Sequence, residues 1–484
     1  MQSILNRLAL VLAAFLCVSL IRAQEPEQPA EPEKPKPAAR AMPPISETDT
    51  GSDDNSATNA SSNWKPDMTP LTGLQTPTLG NPDLRHSYWI PGFQYGVTAQ
   101  SNPLSSNNGQ DWYVTHYLGW SLSLQKGWTN SQLALNYSGG GVFTTQNGED
   151  NGTYQQLGVG QNFQWHRWQL QWNDQFSYLP QTQFGFGGST SLGLPGVGGP
   201  LGPQGPTSGG TTIPSQSIYT ALGPRLSNAA VVQTTYSISP RQSVTASGSY
   251  GLLHFTQAGN VDTDDYVGSF GYNYLLNKKD TIGVVYRFTA YHYQGQPQAL
   301  GDTIFSFAYG RKITQRLALQ LFAGPDYTTY RVPIGTSSSK FSGSASVDIK
   351  YNFQKASLGL DYVHGLGGGS GVLTGSELDQ ITIFANRRLT RIWTVNGSFG
   401  FADNRSLSGS NSGTTIPSVS YRSWYIGAGI SRPIGRNINF SLSYNASINE
   451  PNQSGCTGVN CNASTTQDTI TVFVQWHIRP SVIE

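Results

Sequence analysis

The stretch 436–448, RNINFSLSYNASI, alternates without a break. Ile438, Phe440, Leu442, Tyr444, Ala446 and Ile448 take one side of an extended chain; Asn439, Ser441, Ser443, Asn445 and Ser447 take the other. A period of two is that of a strand with one apolar and one polar face. A strand of a soluble sandwich could carry the same pattern. Repetition argues against that, because the pattern recurs from about Tyr88 to Ile478 in pairs joined by short polar turns.

The first run begins near Tyr88, where Trp89, Phe93, Tyr95, Val97 and Ala99 alternate with Gly92, Gln94, Gly96 and Thr98. Hairpins then follow at 113–125 with 131–144, 153–165 with 168–178, 228–238 with 243–255, and 265–276 with 281–293. Four more occupy 303–313 with 317–331, 341–353 with 356–364, 379–388 with 392–402, and 419–432 with 436–449; a run at 468–478 closes the set. The count is about 18 strands, with 16 as the alternative, and an even number is what a bacterial transmembrane barrel requires. The fold expected is therefore all-β: a transmembrane antiparallel up-and-down β-barrel.

Connections alternate between short and long. The short ones nearly all carry Lys or Arg, as at Lys278-Lys279 and Arg316, and fit periplasmic turns. The long ones include 146–152, 180–227, 403–418 and 450–467. An even strand count leaves both termini on the short-turn side. Composition agrees: charged residues are only 12% while Gly reaches 55, and the net charge of +1 gives no footing for nucleic acid. Mean hydropathy is −0.34. A barrel scores weakly on that scale because only alternate residues meet lipid.

Residues 1–23 read as a secretory signal, with Arg7 before an apolar core and Ile21-Arg22-Ala23 as the cleavage site. Residues 24–84 are Pro-rich, then polar, and cannot bury a core, so a disordered periplasmic segment is expected. It could touch peptidoglycan; a plain spacer is the favoured reading. Residues 85–484 form the barrel, in the bacterial outer membrane with its lipid as partner. Cys456 and Cys461, in CTGVNC, read as a disulfide of an outer loop, ahead of a metal site.

Alternation assigns the apolar faces to lipid and the polar faces to the lumen. Asp174 breaks the rule, since parity points it at lipid in mid-strand; a bulge that re-registers the strand is the simpler explanation and a subunit contact the other. The lumen is dominated by Ser, Thr, Asn, Gln and Gly. Its main charges are Arg287, Asp326, Asp348, Lys350 and Asp361, and Asp348 and Lys350 sit two apart on one face. Such a wall does not concentrate either sign of ion strongly. His254, His292 and His364 each end a strand on the lipid parity, where interfacial packing suits an amphipathic ring better than a shared metal. No catalytic constellation, metal cluster or cofactor motif stands out, so no enzyme is expected.

The longest connection, 180–227, contains FGFGGSTSLGLPGVGGPLGPQGPTSGGTT with Arg225 as its only charge. It follows the fifth strand. Here the chain resembles Gram-negative porins, in which the loop after the fifth strand folds inward and narrows the channel. Among these it is most similar to a β-barrel porin family of which some members accompany polysaccharide export. The resemblance implies a constriction formed by this loop, with Gly187, Gly199, Gly210 and Arg225 along it. The chain departs from the porin pattern by running past Trp476-His477-Ile478 to Glu484, and by lacking the Arg ladder and acidic loop of ion-focusing porins. The expected function is passive diffusion of small, uncharged hydrophilic solutes such as sugars. The alternatives are a closed structural or surface-binding barrel and a barrel for polysaccharide export.

Overall fold

The computed structural model describes residues 71–72 and 87–482, except 102–111, 146–150, 180–223, 257–259, 295–298, 315, 332–336, 354, 368–374, 408–418, 454–463 and 480. The signal sequence, most of 24–84, Gly187, Gly199, Gly210 and the Cys456–Cys461 loop lie outside the described residues.

Eighteen long strands follow one another. They are β1 (Tyr88–Ser101), β2 (Trp112–Gly127), β3 (Ser131–Thr144), β4 (Gly152–Gln164), β5 (Trp168–Leu179) and β6 (Arg225–Ser239). Next come β7 (Gln242–Phe255), β8 (Thr263–Leu275), β9 (Asp280–Tyr293), β10 (Ala299–Lys312), β11 (Leu317–Arg331) and β12 (Ser337–Asn352). The ring is completed by β13 (Ala356–Gly367), β14 (Ser376–Arg388), β15 (Thr394–Ser406), β16 (Val419–Ile434), β17 (Ile438–Gln453) and β18 (Thr465–His477). A two-residue strand, β19 (Ser481–Val482), adds to the start of β1. Every neighbouring pair is antiparallel, and β1 pairs with both β2 and β18, so the sheet closes on itself. Closure satisfies the backbone of each strand within the wall, which is what allows strands to cross a bilayer.

The face assignment follows from the register. Phe93 and Tyr95 are exposed on the outside while Gln94, between them, is 1% exposed. The outer surface carries two aromatic girdles. Trp89, Trp128, Trp165, Trp168 and Trp476 ring the turn side; Trp112, Phe143, Tyr266, Phe288 and Tyr327 ring the loop side. Turn-side cations stack on that girdle, with Lys126 Nζ 5.7 Å from the Trp128 ring and Arg432 5.1 Å from Trp393. An apolar exterior flanked by aromatic belts is that of an outer-membrane barrel, and this chain is one.

Three details differ from expectation. β5 pairs in unbroken register with β4 and β6, so no bulge turns Asp174 inward. It stays on the outward parity, where Asn228 Nδ2 donates to its Oδ1 at 2.8 Å. Second, several strands run beyond their amphipathic cores. Arg225, read as a loop residue, opens β6, and Asp403 lies inside β15 rather than in a loop. Third, β16 continues through Pro433 to Ile434, and the turn is made by Gly435 at φ +70°.

Proline and glycine leave marks on the ladders. The seam between β1 and the C-terminal strands is interrupted around Pro91, which has no N–H to donate. The β10–β11 ladder skips Gly324-Pro325 opposite Phe305-Ser306. A larger interruption separates β12 from β13. Their ladder spans only Ala345–Asn352 against Ser357–His364, while β12 goes on pairing with β11 as far as Ser337. The β11–β12 hairpin thus parts from β13 on the loop side, and Lys340 Nζ reaches over to Glu377 Oε2 of β14 at 2.7 Å.

Candidate functional site

The inner wall is the surface on which a transported solute would act. Over most of the ring it is neutral. Gln94 Nε2 donates to Ser138 Oγ at 2.6 Å and to the Tyr154 hydroxyl at 2.7 Å. The Tyr425 hydroxyl donates to Asn445 Oδ1 at 2.8 Å, and Ser423 Oγ donates to Asn449 Oδ1. Thr98 and Thr471 join hydroxyls across the β1–β18 seam at 3.1 Å. Hydroxyls and amides can both donate and accept, so such a wall can exchange partners with a hydroxylated solute. Apolar clusters interrupt it, among them Tyr117, Val142, Tyr154 and Phe473, with the two tyrosine rings edge-on at 5.9 Å.

Charge is confined to one arc. Leaving aside the terminal residues of strands, the inward-facing charges of the described strands all lie on β8–β13. Asp265, Arg287, Asp302, Asp326, Lys340, Asp348, Lys350 and Asp361 make up that set, by parity with the buried residues beside them. Arg287, Ile304 and Asp326 share one row across β9–β11. Asp302 meets Asp326 side chain to side chain, with Arg287 facing the pair. Asp348 and Asp361 are direct partners on β12 and β13, and Lys350 Nζ lies 3.2 Å from Asp348 Oδ2. The five charged residues read from the sequence are therefore all on the inner wall, in two groups on neighbouring strands. Asp265, Asp302 and Lys340 were missed as lumenal groups. Each lies at or just before the start of the alternating run in which the sequence places it, at 265, 303 and 341. Arg225 faces inward at the loop-side end of β6, 6% exposed.

Two residues of the N-terminal segment also lie inside. Leu71 packs with Val285, Ala308 and Phe322, and Thr72 N donates to Asn273 Oδ1 at 2.9 Å.

No family model matches the chain, and no curated protein matches it. Several solved structures do. OpdQ of Pseudomonas aeruginosa is 11% identical, covering 82% of this chain and 100% of that one, at a TM-score of 0.41. OccK2 of the same organism, solved in complex with glucuronate, is 8% identical over 81% of this chain and 98% of that one, at 0.42. The FrpB iron transporter of Neisseria meningitidis is 7% identical over 82% of each chain, at 0.41. The fold rests on the strand register and not on these scores.

The loop-side rim holds three histidines, His254, His292 and His364. His364 Nδ1 lies 2.7 Å from Asp379 Oδ1, His254 Nδ1 lies 2.5 Å from Asp262 Oδ2, and His292 packs edge-on to Tyr266 at 6.1 Å. Two of the three thus hold a carboxylate as well as packing at the interface. On β14–β16 this rim becomes an ionic network, in which Arg405 contacts Asp403 at 3.0 Å and Asp379 at 3.5 Å. No group of His, Cys, Asp and Glu among the described residues could hold a metal ion.

Proposed function

We propose that this barrel is a passive channel for small, uncharged hydrophilic solutes such as sugars. The observation that carries the reading is the neutral wall of amides and hydroxyls, which runs round the ring outside β8–β13. A sugar passing along it trades hydrogen bonds with water for hydrogen bonds with Gln, Asn, Ser and Thr at little net cost. Sparse charge leaves ions without a strong attractive field. Arg287, Asp326, Asp348, Lys350 and Asp361 line the conduit in this reading. The connection between β5 and β6, with Gly187, Gly199 and Gly210, sets its width, since glycine tolerates the tight backbone that a confined loop needs. A disulfide between Cys456 and Cys461 pins an outer loop.

Liposome swelling is the direct test. Proteoliposomes should swell in neutral mono- and disaccharides faster than in charged solutes of the same size, and deletion of 187–210 should admit larger sugars. A folded barrel that lets no sugar through would leave the closed, surface-binding reading in front. One observation favours that rival: Leu71 and Thr72 occupy part of the lumen.

A further inference from the structure

Leu71 and Thr72 come from a segment whose composition reads as a spacer, yet they are only 4% and 3% exposed. Their seat has the marks of a built site. Asn273 Nδ2 donates to Thr72 Oγ1 at 2.7 Å, while its Oδ1 accepts the Thr72 backbone N–H at 2.9 Å. One amide side chain thus holds both a donor and an acceptor of the same residue, which fixes its orientation. The Thr72 hydroxyl also lies 2.7 Å from Thr245 Oγ1. Leu71 is received by Val285, Ala308 and Phe322, an apolar patch in a largely polar wall.

The wall also makes room. A Cβ at Gly271 would lie 2.3 Å from Thr72 Cβ, and one at Gly283 would lie 2.6 Å from Thr72 Cγ2. A Cβ at Gly310 would lie 3.1 Å from Leu71 Cδ1. Glycine weakens a strand interior, and its presence there often marks the close approach of another group. The glycines occur on β8, β9 and β10, and the ladders place them next to one another: Asn273 opposite Gly283, Gly271 opposite Val285, Gly283 opposite Ala308. Polar anchor, apolar pocket and bare backbone therefore form one continuous patch from β7 to β11. The patch is held against the side of the ring opposite β1, since β10 is nine steps from β1 in either direction round eighteen strands.

We propose that this patch is a receptor for the chain's own N-terminal segment, and that the seated Leu71–Thr72 pair keeps part of the conduit occupied until it leaves. The consequence for flow rests on the channel reading given above; the seat itself does not.

The test uses the full chain with Cys456 and Cys461 replaced by Ser, carrying Thr72→Cys and Gly283→Cys. Thr72 Cβ lies one bond from the Cγ2 that a Cβ at Gly283 would meet at 2.6 Å, and beyond the third-nearest atom at 3.3 Å, so the two Cβ atoms are close to the ~3.5–4.5 Å separation of a disulfide. The cross-link should form in outer-membrane fractions, seen as an unreduced peptide pair by mass spectrometry. In planar bilayers the oxidised form should show a lower single-channel conductance than the same protein after reduction. Gly271→Val, which favours the strand but fills the seat, should raise conductance above that of the parent chain. Absence of the cross-link, while the wall pair Ser247→Cys with Ser269→Cys forms normally, would overturn the seat. A cross-link whose reduction leaves conductance unchanged would overturn its role in the passage. If no form conducts, the channel reading falls, while the cross-link still decides the seat.

Discussion

At the scale of single residues, Asp174 shows how a barrel tolerates a carboxylate on its lipid side. The residue is flanked across the ladders by Val159 and Ala230, neither of which can solvate it. Asn228, on the same outward parity, supplies the donor at 2.8 Å and also donates to the Gln175 carbonyl at 3.3 Å. Alternation places Asp174 on the lipid side and marks it as costly, but the bulge it suggests is absent from the register. The partner was not legible, because Asn228 lies 54 positions away across a long loop. Asn228→Val should strand the carboxylate and destabilise the barrel by about 1–3 kcal/mol, the penalty of an unpaired polar group. Adding Asp174→Val should recover most of that loss, since an apolar pair suits the lipid face. Urea unfolding in lipid vesicles, followed by tryptophan fluorescence, measures both; a single variant as stable as the parent would show that water reaches the site.

At the scale of elements, strand identity was readable and strand length was not. The hydrophobic pattern stops where the bilayer stops, but the hydrogen-bond ladder continues into polar residues beyond it. β17 runs on to Gln453 past its last apolar position, and β12 begins at Ser337, four residues before Phe341. The turns follow local rules. Asn277 closes its turn by accepting the N–H of Lys279 at 2.7 Å and of Asp280 at 2.9 Å. Gly435 turns the β16–β17 hairpin at φ +70°, with open space where a Cβ would stand. Backbone conformation alone therefore demands glycine there. Gly435→Val should cost about 1–2 kcal/mol, whereas Gly435→Asn should cost less because Asn tolerates left-handed geometry. The same unfolding assay ranks the two, and equal stability of the Val variant and the parent would mean that the turn had rearranged.

At the scale of the whole molecule, the lumen divides into a neutral arc and a charged one. The charged arc holds five carboxylates, Asp265, Asp302, Asp326, Asp348 and Asp361, against three cations, Arg287, Lys340 and Lys350. If all are ionised the excess in this arc is two negative charges, and one for the lumen once the inward Arg225 of β6 is counted, so reversal potentials across a salt gradient should reveal a weak cation preference. That preference should fade as ionic strength rises and the charges are screened, and Asp326→Asn with Asp348→Asn should reverse or abolish it. A persistent anion preference in the parent would mean that other groups set the field. Orientation is a second expectation: the basic short turns should face the periplasm. An epitope inserted near Lys278 should be silent on intact cells and one near Gly209 should be bound by antibody; the opposite labelling would invert the topology. Both faces of the wall were legible from alternation. The lumenal seat was not, because its hydrogen bonds join residues 173 and 201 positions apart and Leu71–Thr72 carries no periodic signal.

The parting of β12 from β13 has a mechanical meaning. A closed barrel yields first where two neighbours share the fewest cross-links, and here the shared ladder is only eight residue pairs long, from Ala345–His364 to Asn352–Ser357. The flanking β11–β12 ladder holds fifteen, from Leu317–Tyr351 to Arg331–Ser337. Amide hydrogens in the loop-side half of β12 should therefore exchange earlier than those in the rest of that hairpin, with Lys340–Glu377 as a brace that salt loosens. Pulled or thermally opened, the cylinder should unzip along this line into one continuous curved sheet with β12 and β13 as its free edges.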